Sequence, residues 1–296
     1  PLKRLVQTGV LGSFITPAFR GAIAWSLLAG PNAGWLNQIF TTLTGTAAGP
    51  FNIYSLTGLI FVIALYTYPY AFLFTTTALE LMSSEMEDAA AILGAGVFRT
   101  MAAVTVPLAL PALAAAFIMA FLESVALFGS PLLIAVPARI QVITTQLFQF
   151  FQFPSKVEVA AAYALPLLLM TAGLLWVQRR LLARKNFATF GGKGGARRIV
   201  RLGPWRYVFL GYCLLVATLS LFLPYLVLLS ASLSRAWARG WTWANFTLEH
   251  FRWVLVTHET TRGAIVNSLV FSAAAATAAV ALAFLVAYMA NRRLGR

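Results

Sequence analysis

At least four stretches of this chain run without a charged side chain for the roughly 20 residues that a helix needs to cross the hydrocarbon core of a bilayer. They cover residues 100–122, 159–178, 207–234 and 263–291. Inside a bilayer the backbone has no water to bind, so each stretch must satisfy its own hydrogen bonds as a helix. The sequence therefore predicts a membrane protein with several helical spans.

The overall composition agrees with this prediction. Apolar residues make up 60% of the 296 residues and charged residues 10%, whereas soluble domains carry about 25% charge. The net charge is +14, but the basic side chains stand between apolar runs and are not interleaved with aromatic residues that could stack on bases. We therefore expect the lipid bilayer as a partner and no nucleic acid.

Apolar runs and helix breakers together predict an all-α polytopic fold with about six transmembrane helices. The predicted spans are 9–29, 57–79, 103–123, 159–181, 207–230 and 264–290. Arg20 interrupts the first span and Pro17 would kink it, so we expect this span to be bent or re-entrant. Between the third and fourth spans, Pro131, Pro137 and Pro154 break the chain into pieces too short to cross. Short elements at the outer surface are expected there.

One loop sets the predicted orientation of the spans. Nine lysines and arginines and no acidic residue lie between Arg179 and Arg206, both included. An excess of basic residues marks cytoplasmic loops, and counting spans from this loop places residues 80–102 inside as well. The segments placed outside are 30–56, 124–158 and 231–263.

The segment 84–107 carries the most local information. Ser84 and Glu87 have the spacing of a capping box at the start of a helix, and acidic residues in the first turn complement the helix dipole. Gly94 can adopt the left-handed conformation that ends a helix. A second helix is expected to begin near Gly96 and to run towards the membrane. The pattern predicts a helix-turn-helix, which the loop assignment places in the cytoplasm.

The spacing in this segment resembles the EAA loop of ABC importer permeases. The family pattern is EAA, three residues, G, nine residues, I, one residue, LP, and here it maps onto Asp88, Ala89, Ala90, Gly94, Val104, Val106 and Pro107. Aspartate replaces the glutamate, and valines replace the isoleucine and the leucine. In the family this loop is the coupling helix that docks into a groove on the ATPase subunit. The resemblance implies that coupling depends on Glu87, Asp88, Ala89, Ala90, Gly94, Arg99 and Pro107.

Further segments resemble the ferric-iron branch of these permeases, in which two permease units are fused in one chain. They are 50–56, 128–133 and 187–194, together with Asn267-Ser268-Leu269. The resemblance implies that residues 1–182 are the later part of a first unit, 183–206 a basic cytoplasmic linker, and 207–296 the beginning of a second unit. A second EAA loop is missing from the sequence. We expect a fragment or shortened form of a longer fused permease.

The resemblance implies a permease of a binding-protein-dependent ABC importer in the bacterial inner membrane. Its partners would be two copies of an ABC ATPase subunit, a substrate-binding protein, and a second permease unit or a second copy of the chain. Iron(III) is the substrate that the branch favours, and thiamine, polyamine or phosphonate are the alternatives. No catalytic residue and no cofactor are expected in this chain, because ATP would be hydrolysed in the partner subunit.

Two other classes of protein stay open. A membrane-embedded enzyme would need polar catalytic side chains clustered at the ends of spans, and no convergent cluster is visible in the sequence. A scaffold subunit that keeps the coupling loop but transports nothing alone is compatible with the single EAA loop. ATP-dependent uptake by the reconstituted protein separates both from a permease.

Two charged residues lie within or beside predicted spans. Arg20 interrupts the first span, and Glu123 sits near the outer end of the third. An ionisable group at membrane depth is a functional candidate by default, so both are candidates for the translocation path. An ion pair between them is one arrangement to test. The alternative for Glu123 is a solvated carboxylate at headgroup level.

No metal site is predicted. His250 and His258 each have a glutamate beside them, but two such pairs eight residues apart do not define a metal site. The stretch 191–195 is rich in glycine around a lysine, yet it lacks the GxxxxGK[ST] pattern of a phosphate loop, and a flexible basic linker is expected. The single cysteine, Cys213, has no partner for a disulfide within the chain.

Overall fold

The structure is a computed structural model that describes residues 2–82, 85–184, 203–240 and 242–292. These residues form fourteen α-helices and no β-strand, which confirms the all-α prediction. The helices are α1 (Leu2–Ile15), α2 (Ala18–Ala29), α3 (Trp35–Thr44), α4 (Leu56–Leu81), α5 (Glu85–Ile92), α6 (Val97–Thr100), α7 (Val106–Ala126), α8 (Gly129–Ile134), α9 (Ile143–Phe150), α10 (Val157–Arg184), α11 (Trp205–Ala217), α12 (Leu223–Ser232), α13 (Glu249–Arg252) and α14 (Glu259–Arg292). Three π-helical turns, Met101–Thr105, Thr218–Phe222 and Trp253–Thr257, interrupt or extend them.

Within the described part of the chain, five stretches of helix are long and apolar enough to cross a membrane. They are Leu56–Glu80, Val97–Ala126, Val157–Arg180, Trp205–Ser232 and Glu259–Ala290. The remaining predicted span is the pair α1 and α2, which passes the same test jointly but bends by 97°. Pro17 stands at the bend as the N-terminal cap of α2. Because proline lacks an N–H and its ring clashes with the preceding turn, it ends the helix there, and the predicted bend is confirmed.

The chain between α7 and α10 forms the two short helices α8 and α9, as the prolines in this region predict. Thr144 at the start of α9 donates a 2.7 Å hydrogen bond to the carbonyl of Leu127, just after α7. The rings of Phe128 and Phe148 pack 5.0 Å apart. These contacts hold α9 against the end of α7.

By internal contacts the chain divides into two compact units, Pro1–Leu228 and Leu229–Arg296. In the first unit the half-helix α2 lies in the core, where it packs against α4 and α8, and α4 packs along α7. Ala22 and Ala24 are fully buried, and such small side chains let helices approach closely in membrane bundles. Trp25 packs edge-to-face on Phe61 of α4, with ring centroids 4.7 Å apart. The core is therefore built around a helix that covers only part of the bilayer.

Hydroxyl groups join α1 to its neighbours in the first unit. The hydroxyl oxygens of Ser13 and Ser220 lie 2.6 Å apart, and both side chains are fully buried. The Tyr68 hydroxyl donates to Ser13 over 3.2 Å, and the hydroxyls of Thr16 and Tyr225 are 3.1 Å apart. Hydrogen bonds between helices stabilise membrane bundles because lipid tails supply no hydrophobic drive for helix association. The bent first span is thus fixed to α4 and to the span that begins at Trp205.

An apolar cleft of about 350 Å³ opens between α1, α4 and α11. Val10, Leu65 and Val216 contribute to its walls, and so does Cys213, whose thiol is free and half-buried. The single cysteine therefore lines a cleft.

The second compact unit is an irregular loop followed by the long helix α14. Asn245 organises the loop: its side-chain oxygen accepts from the Ala236 amide at 3.0 Å, and its amide group donates to the carbonyls of Ala236 and Gly240, each at 2.9 Å. His258 caps α14, because its Nδ1 accepts the backbone N–H of Thr261 at 3.3 Å. The side chains of α14 are exposed over almost its whole described length.

Candidate functional site

The predicted helix-turn-helix begins with α5, in which no residue is buried. Its first turn holds Glu85, Glu87 and Asp88, where negative charge complements the helix dipole. Ser84, the predicted capping residue, lies outside the described residues. Helix α5 is short and begins with acidic residues, as predicted.

Gly94 ends this helix in the left-handed conformation, with φ +81°, as predicted. The Ala95 N–H bonds to the Ala90 carbonyl at 2.9 Å, and the Gly94 N–H bonds to the Ala91 carbonyl at 3.0 Å. This pair of bonds is a Schellman cap, which satisfies carbonyls that the helix end leaves free. A Cβ placed on Gly94 would meet nothing within 4 Å. The glycine is therefore needed for its backbone conformation and not for space.

The second arm begins where the sequence predicts it. Gly96 caps α6, which continues through the π-helical turn Met101–Thr105 into α7. The continuous stretch Val97–Ala126 has 30 residues, which is about 45 Å at 1.5 Å per residue. The hydrocarbon core is about 30 Å thick. The helix is therefore longer than the hydrocarbon is thick by several turns.

A hydrogen bond ties the two arms together. The Thr105 hydroxyl donates to Glu87 Oε1 at 2.7 Å, and α5 packs against both α6 and the turn Met101–Thr105. Hydrogen bonds to a carboxylate are among the stronger ones in proteins. Sequence analysis named Glu87 but not its partner, because the partner is set by the way the turn folds back.

The other predicted loop residues lie at the surface. Asp88, Ala89, Gly94 and Arg99 are exposed, Ala90 is half-buried, and Pro107 is exposed in the first turn of α7. Because alanine side chains are small, helix α5 is narrow where Ala89 and Ala90 lie. A thin helix can approach another surface closely.

An exposed apolar patch on the same segment was missed by sequence analysis. Its members are the large apolar side chains that α5, α6 and the turn between them leave exposed: Met86, Ile92, Leu93, Val97 and Phe98. Ile92 and Leu93 are 86% and 87% exposed. A cluster of exposed apolar side chains on a polar loop indicates a protein interface. The signal in the sequence was the apolar pair directly before Gly94.

Arg20 and Glu123 are not brought together as an ion pair within the described residues. Arg20 lies in the first turn of α2 and Glu123 in the last turn of α7, and both side chains are exposed. The sequence could place each residue on its span. The direction of Arg20, however, depends on the 97° bend between α1 and α2. Their assignment to a translocation path stays a prediction.

The described residues contain no group of three or more His, Cys, Asp or Glu side chains placed to hold a metal ion. His258 instead caps α14, and His250 Nε2 lies 3.1 Å from the carbonyl of Ser234. The glycine-rich stretch 191–195 and most of the basic loop lie outside the described residues. Arg180, at the end of the preceding span, stacks on Trp176 at 4.0 Å.

Residues 10–186 match the binding-protein-dependent transport system inner membrane components. The match covers more than half of the chain and includes the whole helix-turn-helix. The chain therefore belongs to this family, and it is a multi-pass inner-membrane protein of the transport class. A role as a transport component agrees with the five apolar spans and the bent pair.

Individual relatives point to the same family. A ferric transport system permease protein of Actinobacillus pleuropneumoniae is 28% identical over 181 residues, which cover 60% of this chain and 26% of the relative. A Haemophilus influenzae protein provisionally named as a ferric transport permease is 26% identical over 181 residues, 60% of this chain and 28% of the relative. A Streptomyces antibioticus protein provisionally named as an ABC transporter permease is 35% identical over 130 residues, 43% of this chain and 56% of the relative. The chain thus spans 26% and 28% of the length of the two ferric relatives that it matches.

Proposed function

We propose that this chain is the membrane-spanning permease component of an ABC importer for iron(III). Family membership supports the permease role, and the names of two relatives support the substrate. The observation that carries the proposal is the exposed helix-turn-helix, bound through Thr105 and Glu87 to the start of a transmembrane helix. ATP is hydrolysed in a separate ATPase subunit, and this chain hydrolyses nothing.

The helix-turn-helix works as a coupling loop. Helix α5 enters a groove on the ATPase, where Ala89 and Ala90 allow close approach and the exposed Leu93 is buried. The Schellman turn at Gly94 and the Thr105–Glu87 hydrogen bond make α5, α6 and the start of α7 move together. Closure of the ATPase pair on ATP therefore pulls on α7, and the packing of α7 on α4 spreads the movement through the first compact unit.

The complete importer contains two coupling loops for two ATPase copies. In our proposal residues 1–182 belong to a first permease unit, 183–206 form a cytoplasmic linker and 207–296 begin a second unit. The second coupling loop comes from that second unit or from a second copy of the chain. A binding protein delivers iron(III) at the outer face, and Arg20 and Glu123 are the charged groups of the spans that we assign to the path.

Reconstitution tests the proposal directly. The full permease is placed in liposomes with its ATPase and its binding protein, and uptake of radioactive iron(III) is measured with and without ATP. We expect ATP-dependent uptake that thiamine, polyamine and phosphonate do not inhibit. Uptake of one of those compounds in place of iron would reassign the substrate. A folded complex that takes up none of them would favour a scaffold role.

A further inference from the structure

Two arginine–aromatic pairs lie at the ends of two consecutive membrane spans. In the last turns of α10, the guanidinium of Arg180 lies 4.0 Å from the centroid of the Trp176 ring. In the first turn of α11, the guanidinium of Arg206 lies 4.5 Å from the centroid of the Tyr207 ring and donates a hydrogen bond to the Tyr207 hydroxyl. Because consecutive spans cross in opposite directions, the end of α10 and the start of α11 lie on the same face of the membrane.

Aromatic side chains indicate that both pairs lie at the level of the lipid headgroups. Trp176 and Trp205 are exposed, and tryptophan is enriched where the bilayer meets water, because its ring has an apolar body and a polar edge. Trp205 also packs near Phe209, one turn further along α11, with ring centroids 6.4 Å apart. The apolar part of the span that ends at Arg180 is only 6% buried within the described structure. The two arginines therefore lie at the depth of the lipid phosphates.

The charge at this level is positive. Arg179, Arg180 and Arg206 are exposed, and within the described part of the chain none of the three forms an ion pair. The sequence from 179 to 206 contains six further basic residues and no acidic residue. Basic side chains directly beside a transmembrane helix attract anionic lipids. The complementary partner of these span ends is thus a negatively charged membrane surface.

The aromatic partners favour a phospholipid over a soluble anion. Stacking on a ring restrains a guanidinium, which can then bind a phosphate group through two parallel hydrogen bonds. The exposed rings of Trp176 and Tyr207 beside the arginines offer apolar surface, and the glycerol backbone and acyl chains of a lipid can cover it. A soluble phosphate supplies the charge but not the apolar contact.

We propose that the end of α10 and the start of α11 bind the headgroup of an anionic phospholipid. Arg180 and Arg206 bind lipid phosphate, and the rings of Trp176 and Tyr207 contact the apolar part of the lipid. The site requires only the inner membrane in which proteins of this family lie. It is independent of the import function proposed above.

Lipid binding to the full permease tests the site. Native mass spectrometry compares phosphatidylglycerol with phosphatidylcholine of the same acyl chains, and the wild type should bind phosphatidylglycerol more tightly. Arg180→Gln and Arg206→Gln should each weaken that binding about fivefold, the factor expected for one basic side chain near an anionic surface. Trp176→Leu keeps the charge but removes the stacking, and should weaken binding about two- to fivefold. Equal binding by the wild type and the double arginine variant would overturn the proposal.

Arg139→Gln is the matched control. Arg139 is exposed between α8 and α9, and no aromatic ring stacks on it within the described structure, so its replacement should leave phosphatidylglycerol binding unchanged. An equal loss in Arg139→Gln and Arg180→Gln would show that only total charge matters, and would reject a defined site. Inorganic phosphate in excess should not displace the lipid, and displacement would reject a phospholipid as the ligand. All variants should melt at the wild-type temperature in phosphatidylcholine nanodiscs, because the changed side chains are exposed.

Discussion

The Thr105 hydroxyl donates a 2.7 Å hydrogen bond to the Glu87 carboxylate, across the turn that separates α5 from the transmembrane helix α7. Thr105 is the last residue of a π-helical turn, a feature often found at functional sites. The bond spans 18 residues of sequence and joins the exposed helix α5 to the start of the transmembrane helix.

Thr105→Val keeps the shape of the side chain and removes this bond. Because Glu87 is half-buried, we take the lower end of the range for hydrogen bonds to charged groups, about 1.5 kcal/mol. Amide hydrogen exchange in 85–95 should then speed up about tenfold, since 1.36 kcal/mol is a factor of ten. Thr171→Val, which removes a bond within α10 to the Leu167 carbonyl, is the control. Equal exchange in both variants would show that the bond does not hold α5.

Alanine substitutions at Gly94 and Gly96 form a matched pair that tests the backbone conformation of the turn. A Cβ would meet nothing within 4 Å at either position, but only Gly94 has a positive φ. Gly94→Ala should destabilise the turn by about 1–2 kcal/mol, and Gly96→Ala should not. In the reconstituted importer, Gly94→Ala should lower the iron taken up per ATP hydrolysed. Equal coupling in the two variants would count against a rigid turn as the coupling element.

Aspartate substitutions at Leu93 and Phe153 distinguish a loss of ATPase docking from a general effect of adding charge to the surface. They are 87% and 99% exposed, so an aspartate at either position should leave the fold intact. Leu93→Asp places a charge in the proposed interface and should reduce copurification of the ATPase at least tenfold. Phe153→Asp should leave it unchanged. If Leu93→Asp also retains the ATPase, the exposed apolar patch of the helix-turn-helix is not the docking surface.

Gly21 is required for space, unlike Gly94. A Cβ at Gly21 would lie 1.9 Å from Cε2 of Tyr66, which is buried and cannot move aside. Gly21→Ala should cost about 1–3 kcal/mol, the usual range for overpacking a core. Gly173→Ala in α10 meets nothing within 4 Å and should not destabilise the protein. Thermal unfolding of both variants in nanodiscs checks this, and equal melting temperatures would contradict the packing of α2 on α4.

The orientation of the spans is tested by labelling. With Cys213→Ser as background, Gly194→Cys introduces one thiol into the basic loop. An impermeant maleimide should label it from the cytoplasmic side of sealed vesicles only. Labelling from the outside only would reverse every loop assignment, because all of them were counted from this one.

The sequence could predict those features of the fold that depend on local chemistry. Uncharged runs must close their own hydrogen bonds in lipid, so five spans were found at nearly correct positions. Pro17 lacks an N–H, and Gly94 tolerates a positive φ, so the bend and the end of α5 were also predictable. The sequence shows that Ile92 and Leu93 are adjacent and apolar. It does not show that both side chains are exposed.

By itself, the sequence determined that this chain is a helical membrane protein whose first span breaks and whose 84–107 segment turns back at a glycine. Only the tertiary structure decided which side chains meet: Thr105 with Glu87, Ser13 with Ser220, and Tyr66 with Gly21. It also decided that Arg20 and Glu123 form no ion pair among the described residues. Residue spacing sets helix ends through backbone geometry, whereas contacts between spans depend on the 97° bend and on helix packing, which arise from many side chains acting together.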